Sequence, residues 1–149
     1  MRLGLALRVA IVTETAYFEE CSAGIHRGLE QIGLRSELMS EIPTSGKWDV
    51  VLVIGVHLFP EIPWMPRTLI LGIQTEQMPV SSVATGCLLR NKRRYNSVCG
   101  YYDQLFEWNP DLYVACNDGR IFLPYGCGTE KFKDSPKKHD LAFIGNVGG

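Results

Sequence analysis

Residues 48–54, WDVVLVI, decide how this chain is read. The five apolar residues from Val50 to Ile54 are all β-branched except Leu52. A run this short and this rich in β-branched side chains suits a strand covered on both faces, as strands of parallel sheets are. Upstream, residues 8–13 (RVAIVT) form a second run of the same kind. Between the two the period changes. Phe18, Cys21, Ile25, Leu29 and Ile32 recur at helical spacing with Glu19, Glu20, Arg27 and Glu30 between them, which predicts an amphipathic helix ending near Gly33. Residues 34–39 read as a weaker strand, and 42–47, with Pro43 and Gly46, as a loop.

Downstream, residues 55–66 are apolar but carry Pro60, Pro63 and Pro66, which suit a rigid excursion rather than more sheet. Residues 68–73 predict another strand, and 74–79 a polar loop at its end. Residues 81–95 are helical by composition, with Arg90, Lys92, Arg93 and Arg94 near the end, where cations suit the helix dipole. Residues 101–108 (YYDQLFEW) read as a further amphipathic helix stopped by Asn109-Pro110, residues 111–116 as a fifth strand, and 120–123 as a short sixth. Strands alternating with helices predict an α/β protein, a Rossmann-like, doubly wound, mostly parallel sheet with helices on both faces. Ligands of such sheets bind beyond the C-terminal strand ends, so the loops after strands one, three and four are where function is expected.

The 149 residues are 46% hydrophobic and 21% charged, the make-up of an ordinary folded domain. With 15 basic and 16 acidic residues the formal charge is −1, so no global field draws the chain to nucleic acid. The five cysteines are odd in number and show no C-x-x-C pair or metal-ligand spacing with His26, His57 or His139; they read as reduced thiols of a cytoplasmic protein, and no metal site is expected. The start, MRLGLALRVAIV, is interrupted by Arg8 and has no small-residue cleavage site, so it reads as a leader into a strand rather than a secretory signal.

After strand one, Glu14 and Thr15 face the expected crevice as acceptor-binding candidates, although either would also serve to cap the following helix. The absence of glycine there disfavours a dinucleotide. After strand three, His57 is a candidate base or sugar-hydroxyl partner, while a lone histidine in an apolar loop is more often structural. After strand four, Gln74, Thr75, Glu76 and Gln77 offer the donors and acceptors that read hydroxyl groups. Glu76 is the first catalytic candidate, with Gln74 and Gln77 beside it for the acceptor. The basic run Arg90, Lys92, Arg93, Arg94 reads as a solvated helix end, with weak peripheral membrane contact as its other use.

Residues 123–149, LPYGCGTEKFKDSPKKHDLAFIGNVGG, hold a short apolar run, a glycine turn, a helix start, and then a second apolar run closing in glycines. A strand leading into a glycine-rich loop brings backbone N–H groups up to a phosphate. This segment resembles the interdomain region of GT-B fold glycosyltransferases, whose turn reads P-x-G-x-D-x-x-x-F. The match runs through Pro124, Gly126, Glu130 and Phe132, and Phe143-Ile144-Gly145-Asn146 is similar to the opening of the family's second domain. Cys127-Gly128-Thr129 departs from the commoner Val-Asp-Pro. Within that fold the CgeB-type group offers the nearest likeness.

The resemblance implies an acceptor-side domain over residues 1–136 and the first part of a donor-binding domain at 137–149, the chain stopping as that domain begins. It implies transfer of a sugar from a nucleotide-sugar donor to an acceptor whose identity is open, with no cofactor or essential metal. Gly145, Asn146 and Gly148 would then touch the donor phosphates. The rival reading is a stand-alone flavodoxin-like binding or regulatory domain. Its phosphoreceiver form is disfavoured because strand one offers only Glu14 and strand three ends in Ile54-Gly55, without the required aspartate.

Overall fold

A computed structural model of the chain describes residues 7–14, 16–45, 47–75, 93, 95–107, 114 and 119–123. Its strands are β1 (Arg8–Val12), β2 (Arg35–Met39), β3 (Val50–Ile54), β4 (Leu69–Gln74), β5 (Gln104–Glu107) and β6 (Ile121–Phe122), and its long helix is α1 (Glu19–Gln31). All neighbouring strands pair in parallel, in the order β2-β1-β3-β4-β5-β6. The first five follow the flavodoxin-like arrangement of a doubly wound sheet, with the order reversing between β1 and β3. The expected α/β class and parallel sheet are what the chain adopts.

Alternation along the strands divides the core in two. Val9, Ile11, Leu52, Ile54 and Ile73 face one side, where Phe18 and the Cys21–Ile25–Leu29 stripe of α1 cover them. Ala10, Val12, Val51, Val53 and Ile70 face the other, under Trp48, Val56, Phe59, Met65, Tyr95, Val98 and Tyr102. Residues 95–98 are helical, so helical backbone lies on both faces. Burying one such aliphatic side chain is worth roughly 1.5–3 kcal/mol, which makes the two apolar layers the main stabilising term.

The start and end of each element have local causes. α1 closes in a Schellman turn, Gly33 N–H bonding Glu30 O at 3.0 Å and Leu34 N–H bonding Leu29 O at 3.0 Å, with Gly33 at φ 83°. Ile32, expected on the apolar stripe, is instead 72% exposed because it is the residue at which the helix ends. β2 is tied to α1 through Ser36, whose N–H donates to Glu30 Oε1 at 2.8 Å and whose hydroxyl lies 2.7 Å from His26 Nδ1. Gly72 lets β4 pass close to its neighbours: a Cβ there would sit 2.6 Å from Val56 Cγ1 and 2.8 Å from both Leu105 Cδ2 and Tyr102 Cδ1.

Two expectations are corrected. The helix expected over 101–108 is not formed in its described part, 101–107: a single 3-10 turn, Cys99–Tyr101, leads into β5. Tyr101, Leu105 and Trp108 do recur at helical spacing, but pairing with β4 outweighs that local pattern. Asp103 secures the pairing, since its N–H donates to Ile70 O at 2.8 Å and its Oδ2 accepts from Ile70 N–H at 2.7 Å. In the segment 111–116, expected to be a strand, the described residue Val114 is helical and 80% exposed.

Candidate ligand cleft

β3 ends at Gly55, whose φ of 81° falls in the left-handed region that glycine tolerates best. A Cβ there would also lie 3.0 Å from Leu58 Cδ1 and 3.4 Å from Phe18 Cε2. Gly55 therefore allows the chain to leave the sheet abruptly. The 3-10 turn Val56–Leu58 follows, closed by Leu58 N–H on Gly55 O at 2.9 Å, and the proline-rich segment beyond it packs Phe59 and Met65 into the apolar layer on one face of the sheet.

That segment forms one wall of a cleft of about 730 Å³. Leu58, Phe59, Pro60, Ile62 and Pro63 supply most of its apolar surface. Ser40, Glu41, Ile42 and Thr44, which follow β2, form the opposite wall, and Glu14 reaches in from the end of β1. The cleft thus lies beyond the C-terminal ends of β1, β2 and β3, beside the reversal of strand order, where doubly wound sheets hold their ligands. Glu14, Glu41 and Glu61 are its charged groups, all exposed; no Lys, Arg or His is among its described lining residues.

Of the residues singled out from sequence, Glu14 stands in this cleft. His57 does not line it: the residue is 6% exposed, while its neighbours Leu58 and Phe59 face the cavity. Gln74 is 1% exposed at the last position of β4, also away from the cleft wall. Arg93 is exposed. Thr15, Glu76, Gln77, Arg90, Lys92, Arg94, Gly145, Asn146 and Gly148 lie outside the described residues, as do the turn at 124–132 and the apolar run 140–144.

Sequence reasoning passed over Glu41 and Glu61. The signal was there in part, because both sit in proline-bearing loops and Glu41 comes just beyond a strand. What was missing was the position of β2 next to β1, which brings the loop after strand two into the crevice.

A second polar cluster was also missed. Arg120 Nη1 donates to Glu107 Oε2 at 3.1 Å and Nη2 to Tyr95 Oη at 2.7 Å, with the guanidinium carbon 5.2 Å from the Tyr95 ring centroid. Both charged side chains are almost wholly buried, at 3% and 0% exposure. Tyr102 is buried nearby in the same apolar layer, and burial pushes its hydroxyl well above the ordinary phenol range. Cys21 is likewise raised by burial, which leaves it a poor nucleophile. No group of three or more His, Cys, Asp or Glu among the described residues is placed to hold a metal ion, and no described helix is long and apolar enough to cross a membrane. No protein-family model, curated protein or solved structure matches the chain.

Proposed function

We propose that this chain is the acceptor-binding side of a GT-B type glycosyltransferase acting in the cytoplasm, of the CgeB-like kind. The observation that carries the reading is the cleft itself: a sizeable, apolar-walled cavity at the strand ends beside the reversal of order, edged by hydroxyls and carboxylates. Hydroxyl-bearing ligands are read by such acceptors, while a phosphate would be repelled by the carboxylates of Glu14, Glu41 and Glu61. The donor's diphosphate then belongs to a second domain opening at about residue 137, with Gly145, Asn146 and Gly148 on its phosphates. The motif of Pro124, Gly126, Glu130 and Phe132 supports that division. Glu76, two residues beyond the end of β4, remains the proposed catalytic carboxylate, with His57 as the other candidate.

One observation favours a second reading. The order 2-1-3-4-5 is that of flavodoxin-like domains, which work alone as binders of small ligands. Two measurements separate the readings. Calorimetric titration of this chain with uridine and guanosine diphosphates should give binding weaker than micromolar; a micromolar dissociation constant, about −8 kcal/mol, would overturn the assignment of the phosphates to the other domain. In a protein that carries both halves, Glu76→Gln should lower kcat and kcat/KM together and leave donor affinity in place. Absence of sugar transfer from any nucleotide sugar by that protein would favour the stand-alone binder.

A further inference from the structure

We infer that the cleft selects an acceptor carrying a positive charge, an amine-bearing sugar or aglycone, an inference that rests on the acceptor-cleft reading above. The cavity is walled by Leu58, Phe59 and Ile62 on one side and Ile42 on the other, a surface suited to the apolar face of a ring. Among its described lining residues the charged edge is of one sign. Glu14, Glu41 and Glu61 come from three different segments, after β1, after β2 and within the proline-rich loop, and converge on the same space.

Among the described residues, none of the three carboxylates is engaged in an ion pair such as those of Arg8 with Asp49 and Arg120 with Glu107. The basic side chains Arg8, Arg35 and Lys47 line instead a smaller cavity of about 330 Å³, together with Glu30 and Glu37. In water each carboxylate at roughly 7 Å favours a unit positive charge over a neutral group by about threefold. Three acting together favour a cation over a matched neutral ligand by about tenfold or more, and disfavour an anion by a similar factor. The discrimination should shrink as salt rises through the range where the screening length falls below about 8 Å.

The test is binding of three matched probes to the chain at neutral pH and low salt: the phenyl glycosides of glucosamine, glucose and glucuronate. Methyl resonances of Ile42 and Ile62 report the cleft, and Ile11 in the opposite apolar layer serves as a control. The glucosamine compound should bind about tenfold or more tighter than the glucose compound, with the glucuronate weakest. Glu14→Gln, Glu41→Gln and Glu61→Gln combined should bring the three affinities together; all three positions are exposed, and circular dichroism checks the fold. The unsubstituted chain decides the matter whether or not that variant folds. If the glucose and glucosamine compounds move the cleft methyls at equal concentrations, charge selection is wrong while the cleft stands as an acceptor site. If none of the three moves them, both this inference and the acceptor reading fall.

Discussion

β3 and β5 begin alike and are then held in place by different forces. Each is preceded by an aromatic residue and an aspartate, Trp48-Asp49 and Tyr102-Asp103. Asp49 Oδ2 accepts the N–H of Arg8 at 2.9 Å, and Asp103 Oδ2 accepts that of Ile70 at 2.7 Å, so each carboxylate secures the first residues of the strand alongside. Trp48 and Tyr102 are buried in the same apolar layer, at 4% and 8% exposure. Beyond this shared start β3 is wholly apolar, anchored by burial that has no preferred direction. β5 has only partly buried Gln104, Leu105 and Phe106 and ends in Glu107, fixed through its ion pair with Arg120. The centre of the sheet is thus set by apolar area, and its outer flank by directed polar contacts, the buried Glu107–Arg120 pair foremost. An apolar core tolerates conservative change, whereas a buried ion pair fails when either member is lost.

The largest expected effect tests that difference directly. Arg120→Met removes the guanidinium 3.1 Å from the fully buried Glu107 carboxylate, so it should cost about 3–5 kcal/mol in chemical denaturation. Adding Glu107→Leu removes the buried charge as well and should recover a large part of the loss. If the single change costs under about 1 kcal/mol, the flank is held by something other than this pair, and the contrast with β3 disappears. Next comes Gly72→Ala in β4, the strand between the two regions. Its new methyl would crowd Val56 on one side and Leu105 and Tyr102 on the other, at 2.6–2.8 Å. Overpacking of this kind should cost about 1–3 kcal/mol and lower the melting temperature. A neutral outcome would show that β5 can shift to make room, and so is more loosely held than the ion pair implies.

The same contrast explains what could be read from the chain in advance. The runs 8–13, 48–54 and 68–73 were legible because apolar, β-branched sequence reports strands buried on both faces. β5 was not legible as a strand. Its pattern is mixed, Glu107 looks like a surface residue, and the arginine that neutralises it lies thirteen positions away. Yet Tyr102-Asp103 repeats the Trp48-Asp49 pair just before a run of four residues, a signal that outranks the helical spacing of Tyr101 and Leu105. The cleft was legible only at Glu14. Glu41 and Glu61 depend on strand order, which no local pattern carries.

A smaller effect is expected at the aspartate that starts β5. Asp103→Ala leaves the Ile70 N–H without its acceptor, so a loss of about 1–3 kcal/mol should appear in denaturation, together with faster hydrogen exchange of that amide. Unchanged protection of the Ile70 amide would mean that pairing with Asp103 is not what starts the β4–β5 ladder.

The smallest effect concerns Asp49, the equivalent residue before β3. The backbone N–H of Arg8 holds its carboxyl below the ordinary value of 3.8, with the Arg8 side chain adding to this and a slight burial acting against it. A carboxyl that binds its proton less readily folded than unfolded stabilises the fold above the unfolded-state value, and that contribution is lost as pH falls through the lower folded-state value. The difference in denaturation midpoint between the native chain and Asp49→Asn should therefore be widest near neutral pH and close as the pH drops below about 4. Because the comparison subtracts every other carboxylate, what remains belongs to this contact. If the difference is the same at pH 7 as at pH 3, Asp49 orders the start of β3 through shape and neutral hydrogen bonding, and charge has no part in how the central strand begins.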